Sequence, residues 1–128
     1  MKRVAVVLAA LAMALAGCGQ TAGIGQHKPI SLSAAQRAIV ESGIRSRLKD
    51  PDSAKFGEMV AGTDASGATR VCGWVNAKNS FGGYGGPQIF AGQIAGAALV
   101  DVAMDSPGES FKPVAIICKN AGLMPPAT

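Results

Sequence analysis

TRVCGWVNA, residues 69–77, is the segment of this chain with the clearest strand pattern. Because successive side chains of a strand point to opposite faces, Val71 and Val75 share one face, and Cys72 and Trp74 share the other. Both faces therefore carry apolar side chains, and we expect cover on each side of the sheet around this strand. Either the C-terminal tail or a partner would cover the second face.

Four other segments are predicted to be strands, at residues 56–61, 88–94, 98–104 and 111–118. Residues 89–104 are rich in Gly and Ala, so one buried helix is the alternative to the second and third of these strands. In the last segment, FKPVAIIC, Pro113 indicates an edge strand or a bulge, because proline cannot donate a hydrogen bond to the ladder.

Residues 33–49 have the apolar period of an amphipathic helix. Ser33 and Gln36 have the spacing of a capping box at its start. Pro51 ends it, because the residue before a proline is pushed out of the helical region. One role for the basic residues near its C-terminus is to stabilise the helix through its dipole. The alternative role is contact with anionic lipid headgroups or cell-wall polymers. These residues are Arg45, Arg47 and Lys49.

The first 18 residues have the parts of a bacterial export signal. Lys2 and Arg3 precede the apolar run 4–14, and small residues lead to Cys18. The sequence LAGC, residues 15–18, resembles the lipobox of bacterial lipoprotein signal peptides. That resemblance implies cleavage before Cys18, a thioether-linked lipid on its sulfur and acylation of the new amino terminus. The alternative is an ordinary secretory signal that contains a cysteine.

Lipidation would place the protein in the cell envelope. Several acyl chains anchor a protein stably, whereas the apolar run of about a dozen residues is too short for a permanent span. Gly19 follows the cysteine in place of the Asp that typically retains lipoproteins in the inner membrane. The resemblance therefore implies the periplasmic side of the outer membrane, if the cell has one.

A lipid on Cys18 leaves Cys72 and Cys118 for a disulfide in an oxidising compartment. The pair closes a loop of about 45 residues. In the chain-entropy model, such a disulfide stabilises the folded state by about 4 kcal/mol. The alternative is a metal site or a reactive thiol. It is disfavoured because the chain has one histidine, His27, and no CxxC motif. We expect neither a metal nor a cofactor.

The predicted organisation is a signal peptide (1–17), a lipidated cysteine with a flexible tether (18–30) and one domain (31–128). His27 would be solvated in the tether. The domain is predicted to be α+β: one N-terminal helix packs on a small, mainly antiparallel sheet, and the disulfide joins the second strand to the last. Without Lys2 and Arg3 the chain has 10 basic and 8 acidic side chains. This small net positive charge argues against nucleic acid as a binding partner.

A glycine-rich loop follows the central strand at residues 79–87, NSFGGYGGP. A nucleotide-binding loop is disfavoured there, because a strand and not a helix is predicted next. In one interpretation this is a recognition loop for sugars or peptide segments, with aromatic faces and polar groups as contacts. In the other it is a hairpin loop whose aromatic rings pack on the sheet while its asparagines bond to backbone groups. The residues concerned are Asn76, Lys78, Asn79, Phe81 and Tyr84.

Residues 72–84, CGWVNAKNSFGGY, resemble a CGxVNAKNxFGGY motif of small bacterial envelope and prophage-associated proteins of uncharacterised function. Residues 48–56 (LKDPDSAKF) and 118–122 (CKNAG) resemble accompanying motifs, so the similarity covers most of 33–122. It implies an envelope protein without implying an activity. Trp74, and Gly85 just after the motif, stand at variable positions where those proteins often have Glu and Thr.

No catalytic set is evident. A Ser–His–Asp arrangement would need His27, and the carboxylates available for a glycosidase-like pair lie near predicted turns or surface positions. Those carboxylates are Glu58, Asp64, Asp101, Asp105 and Glu109.

We therefore expect a membrane-anchored envelope lipoprotein that binds and does not catalyse, with a cell-wall polymer or an envelope protein as partner. The alternative is an inhibitor or exclusion factor against a hydrolase or a phage component. A small hydrolase is the least favoured hypothesis.

Overall fold

A computed structural model describes residues 26–127, which form an α+β fold with a five-stranded antiparallel sheet. The strands lie in chain order, β1 to β5, and each pairs with the next. In chain order the elements are β1 (Lys28–Ile30), α1 (Ala34–Arg45), a 3₁₀ turn (Pro51–Ser53), β2 (Lys55–Thr63), β3 (Thr69–Asn76), β4 (Gln88–Ala95), β5 (Ala98–Met104) and α2 (Pro113–Asn120).

The predicted capping box begins α1. Ser33 Oγ accepts the N–H of Gln36 at 3.1 Å, and Gln36 Oε1 accepts the N–H of Ser33 at 2.9 Å. The helix ends at Arg45, four residues before the predicted end. Backbone bonds to the third preceding residue tighten the chain there, and they bring Leu48 against the core.

α1 covers one face of the sheet. Val40 and Ile44 are fully buried against Val71, Val75 and Phe90. The helix also approaches β5 closely: a Cβ on Gly43 would lie 2.5 Å from Leu99 Cβ. Glycine in the apolar stripe of α1 therefore permits this packing.

On the second face of the sheet, the prediction of a strand at residues 111–118 is wrong, because residues 113–118 belong to helix α2 and residues 111–112 precede it. Pro113 occupies the first turn of α2, where its missing N–H costs nothing. Val114 and Cys118, four residues apart, are buried against the sheet. A short apolar run such as FKPVAIIC is compatible with either period, so its pattern could not distinguish helix from strand.

The predicted disulfide joins Cys72 to Cys118, with their Cα atoms 6.0 Å apart. It links β3 to α2 rather than to a last strand. Beyond α2, Leu123 is fully buried, and Trp74 Nε1 donates to the Pro126 carbonyl at 2.8 Å. The C-terminal segment thus covers the second face of the sheet, which was one of the two alternatives.

The two strands favoured within residues 89–104 are confirmed as β4 and β5. They are joined by a tight turn at Gly96, whose φ is +60°. Glycine adopts this left-handed conformation without steric cost.

Part of the predicted tether is instead a strand. Lys28–Ile30 forms β1 at the sheet edge, where Pro29 is tolerated. The N–H of His27 donates to the Ala121 carbonyl at 3.2 Å, and its Nδ1 is buried without a hydrogen-bond partner. His27 is therefore half-buried against the domain, whereas the sequence predicted a solvated side chain in a tether. The predicted signal peptide and Cys18 lie outside the described residues.

Within residues 26–127, neither helix combines the length and the apolar character that a membrane crossing requires.

Candidate functional site

The tip of the glycine-rich loop is held by its own asparagine. Asn79 Oδ1 accepts the N–H of Phe81 at 2.9 Å and that of Gly83 at 3.3 Å. The N–H of Asn79 in turn donates to the Gly83 carbonyl at 2.7 Å. Gly82, with φ at +78°, allows the chain to reverse within this short distance. Asn79 is thus a structural residue of the loop.

The base of the loop is held by a second set of bonds. Asn76 Oδ1 accepts the N–H of Gly86 at 3.2 Å, and an isolated bridge pairs Lys78 with Tyr84. The N–H of Lys78 donates to Ser53 Oγ at 2.8 Å, which ties the loop to the 3₁₀ turn. The predicted structural role of both asparagines is therefore present in the fold.

Tyr84 bonds to the 3₁₀ turn through its hydroxyl, which donates to the Ser53 carbonyl at 3.1 Å. The Nζ atoms of Lys55 and Lys78 lie 4.6 Å and 5.9 Å from the centre of its ring. Ammonium groups at these distances are attracted to the aromatic ring. Tyr84 thus positions two cations beside the loop.

Phe81 is the exception in this loop, because its side chain is 97% exposed. The hairpin interpretation expected this ring to pack on the sheet, and for Phe81 that expectation is wrong. The backbone that carries it is nevertheless held by the bonds of Asn79. The fold thus presents an apolar ring to solvent from a fixed loop.

A cleft of about 320 Å³ opens beside the loop, between the segment that follows α1 and the segment that follows β5. Leu48 and Met104 supply apolar lining, and Gln88 supplies an amide. Three cationic residues also line it: Arg47, Lys49 and Lys78. Its volume lies in the range of small-ligand sites.

The cleft has an excess of positive charge. The one ion pair among residues 26–127 joins Arg37 to Glu41 on α1, so no carboxylate in that range pairs with the cleft cations. The one carboxylate in the lining is Asp105, and its two oxygens accept the N–H groups of Val114 and Ala115. The cleft therefore favours a negatively charged occupant.

Sequence reasoning assigned the basic residues at 47 and 49 to the end of α1 and did not connect them with Lys78. The fold brings these residues, about 30 positions apart, to the same cleft. The sequence contains only a weak signal for this shared cleft, namely the excess of positive charge at the predicted helix end.

The carboxylates considered for catalysis are distributed over the fold. Asp64 Oδ1 holds the β2–β3 turn by accepting the N–H groups of Ser66 and Ala68 and the Ser66 hydroxyl. The hydrogen bond from the Ser66 hydroxyl is the main cause that lowers the pKa of Asp64. Asp105 instead holds the start of α2. Glu58 lies on β2, Asp101 on β5, and Glu109 before α2.

In the part of the chain from residue 26 to 127, the fold forms no cluster of three or more His, Cys, Asp or Glu side chains suited to a metal ion.

The loop and the cleft lie at the end of the sheet opposite β1. Lys55 pairs with Asn76 at the loop end, whereas Lys28 pairs with Thr63 at the other end of β2. The nine residues of β2 separate these ends by about 26 Å. The polypeptide therefore enters the fold far from the loop.

Comparison of the chain with protein-family models, with curated proteins and with solved structures finds no match to any of them.

Proposed function

We propose that this protein is a lipid-anchored protein of the bacterial cell envelope that binds a ligand with the loop end of its sheet and carries out no reaction. One observation carries the proposal: a loop held by internal hydrogen bonds exposes 97% of Phe81 beside a cleft whose three cations lack carboxylate partners among residues 26–127. Preorganised exposed groups favour binding, because little conformational entropy is lost when a ligand orders them.

The lipobox-like LAGC sequence supports the anchor, with the lipid on Cys18 and the protein on the periplasmic side of an outer membrane. The Cys72–Cys118 disulfide fits this oxidising location.

The position of the anchor supports ligand binding away from the membrane. Nine residues separate Cys18 from Lys28, and a chain of that length spans at most about 35 Å. The sheet then adds about 26 Å between β1 and the loop. A tether and a domain of these lengths allow the loop to reach the space beyond the membrane surface.

Binding is a better explanation of the cleft than catalysis. Its lining combines cations, an amide and apolar groups, while Asp105 is already bonded to two backbone N–H groups. A general base needs a free lone pair within reach of a substrate proton, and hydrogen bonding of both oxygens works against that role.

A two-part experiment tests this proposal. Mass spectrometry of the protein from membranes should find acyl chains on an N-terminal Cys18 and a loss of two hydrogens for the disulfide. A photo-reactive phenylalanine at position 81 should form adducts with an envelope component in intact cells. The same residue in place of Ile117, which is 44% exposed on α2, is the control and should form few. An unlipidated Cys18, or equal adducts at both positions, would contradict the proposal.

An inhibitor or exclusion factor is a second candidate, and the exposure of Phe81 favours it. A rigid loop with an apolar ring at its tip has the form needed to fill a pocket of another protein. In that case the adducts at position 81 would contain one foreign hydrolase or phage protein, and they would form only when that protein is present.

A further inference from the structure

We infer that the cleft and Phe81 together form a site for an anionic polysaccharide of the envelope, with the carboxylate or phosphate groups of the polymer in the cleft. The inference rests on the proposed function and names the ligand class for the same surface. Three features of this surface support it.

The first feature is charge. Arg47 and Lys49 come from the segment after α1, and Lys78 lies at the base of the loop, so two separate segments supply the cations of the cleft. Arg47 and Lys49 are exposed, which leaves their donors accessible to a ligand. Guanidinium and ammonium groups bind both carboxylate and phosphate oxygens with charge-assisted hydrogen bonds.

The second feature is the exposed aromatic ring of Phe81, which is carried by the loop that lines the cleft. Asn79 lines the cleft, and Phe81 stands two residues further along the same held loop. The C–H face of a sugar ring can pack on an exposed aromatic ring, whereas a simple anion cannot use it. Phe81 together with the cations therefore favours a charged sugar over an inorganic anion.

The third feature is the placement of hydrogen-bonding groups in the cleft. The amide of Gln88 and the hydroxyl of Ser106 line the same space as the cations. Amides and hydroxyls both donate and accept, as sugar hydroxyls require.

The position of the cleft in the domain suits a polymer that lies beyond the membrane surface. The cleft lies at the end of the sheet about 26 Å from β1, where the chain leads back toward Cys18. β1, which leads back toward Cys18, and the proposed ligand site are thus at opposite ends of the sheet.

The test uses the full-length protein, purified from membranes in a neutral detergent and titrated at low salt. Polygalacturonate supplies carboxylates, phosphomannan supplies phosphates, dextran is the neutral polysaccharide, and poly-L-glutamate is the acidic polypeptide. We expect saturable binding of polygalacturonate, phosphomannan or both, which weakens as salt screens the charges. The polymer that binds more tightly identifies the anionic group. Dextran and poly-L-glutamate should bind at least about tenfold more weakly.

The site variant combines Arg47→Gln, Lys49→Gln and Lys78→Gln. It should weaken binding by about tenfold or more, since each accessible charge pair contributes up to about 1 kcal/mol. Its matched control combines Lys28→Gln, Arg70→Gln and Lys119→Gln. These three residues lie on β1, on β3 near its start and on α2, so the net charge changes equally away from the cleft. The control should retain wild-type affinity within about threefold.

Phe81→Ala isolates the aromatic contribution. It should weaken binding of the anionic polysaccharide while leaving binding of inorganic polyphosphate unchanged. Thermal unfolding and the disulfide mass establish that each variant is folded.

Equal binding of dextran or poly-L-glutamate, or equal loss in the site variant and its control, would overturn the inference. A failure of every polysaccharide to bind would also overturn it, while lipid on Cys18 and adducts at position 81 would leave the proposed function standing. Conversely, an unlipidated Cys18 would refute the anchor whatever the titrations find.

Discussion

The carboxylate of Asp105 accepts the backbone N–H of Val114 at 2.9 Å, and its second oxygen accepts that of Ala115 at 3.0 Å. Asp105 follows the last residue of β5 and is 4% exposed. It therefore satisfies two N–H groups at the start of α2, where Lys112 provides no side-chain cap. This contact positions the helix that carries Cys118 over the sheet.

Asp105→Ala should lower the free energy of unfolding by about 2 kcal/mol, because it leaves the buried N–H of Val114 and the partly buried N–H of Ala115 without an acceptor. Chemical denaturation monitored by circular dichroism measures this difference. Glu109→Ala removes an exposed carboxylate from the same connection and is the control, with an effect below about 0.5 kcal/mol. Equal effects of the two variants would refute a capping role for Asp105.

Gly73→Ala should destabilise the fold by about 1–3 kcal/mol, because the added Cβ would lie 2.5 Å from Phe90 Cζ and 3.0 Å from Met59 Cγ. Phe90 is fully buried, so its ring has little room to move away. Gly83→Ala is the matched control, since a Cβ there meets nothing within 4 Å. Thermal unfolding should separate the two variants clearly, and a wild-type Tm for Gly73→Ala would contradict this packing.

Asp64 should make stability depend on pH in the acid range. The Ser66 hydroxyl, with the N–H groups of Ala68 and Ser66, holds the pKa of Asp64 below its ordinary value of 3.8. Because the pKa is lower in the folded state, the ionised Asp64 stabilises the fold. This stabilisation is fully present above the ordinary pKa and is lost as the pH falls through the folded pKa. Unfolding midpoints measured from neutral pH down to about pH 2 should therefore converge for wild type and Ser66→Ala. Parallel curves across that range would rule out this linkage.

Asn79→Ala should release the loop tip without unfolding the domain. The variant loses the acceptor for the N–H groups of Phe81 and Gly83, so their hydrogen exchange should accelerate. Global stability should change by less than about 1 kcal/mol, because the loop is exposed. Ser80→Ala, at the neighbouring exposed position, should leave exchange at Phe81 and Gly83 unaltered. Unchanged exchange in Asn79→Ala would show that the loop is held by other contacts.

Much of the local structure followed from short-range signals. The capping box of Ser33 with Gln36 and the helical apolar period predicted α1, and the alternation of Val71 with Cys72 predicted β3. These signals act within one or two turns of helix or along one strand. The alternation around β3 also predicted that both sheet faces need cover, and two cysteines without another role predicted the disulfide.

Tertiary contacts decided the remaining features. α2 could not be distinguished from a strand because the residue that caps it, Asp105, lies eight positions before Pro113, directly after β5. β1 was predicted as tether because a three-residue strand has no pattern of its own and exists through its pairing with β2.

The candidate site shows the same division. The sequence alone determined that residues 76–84 contain amides, a lysine and two aromatic rings, and that the helix before them ends in basic residues. Only the fold determined that the asparagines hold the loop, that Tyr84 contacts Lys55 and Lys78, and that Phe81 remains exposed. Only the fold also placed Arg47 beside Lys78. The reason is physical: side-chain alternation and capping depend on neighbours along the chain, whereas a cleft forms where distant segments meet.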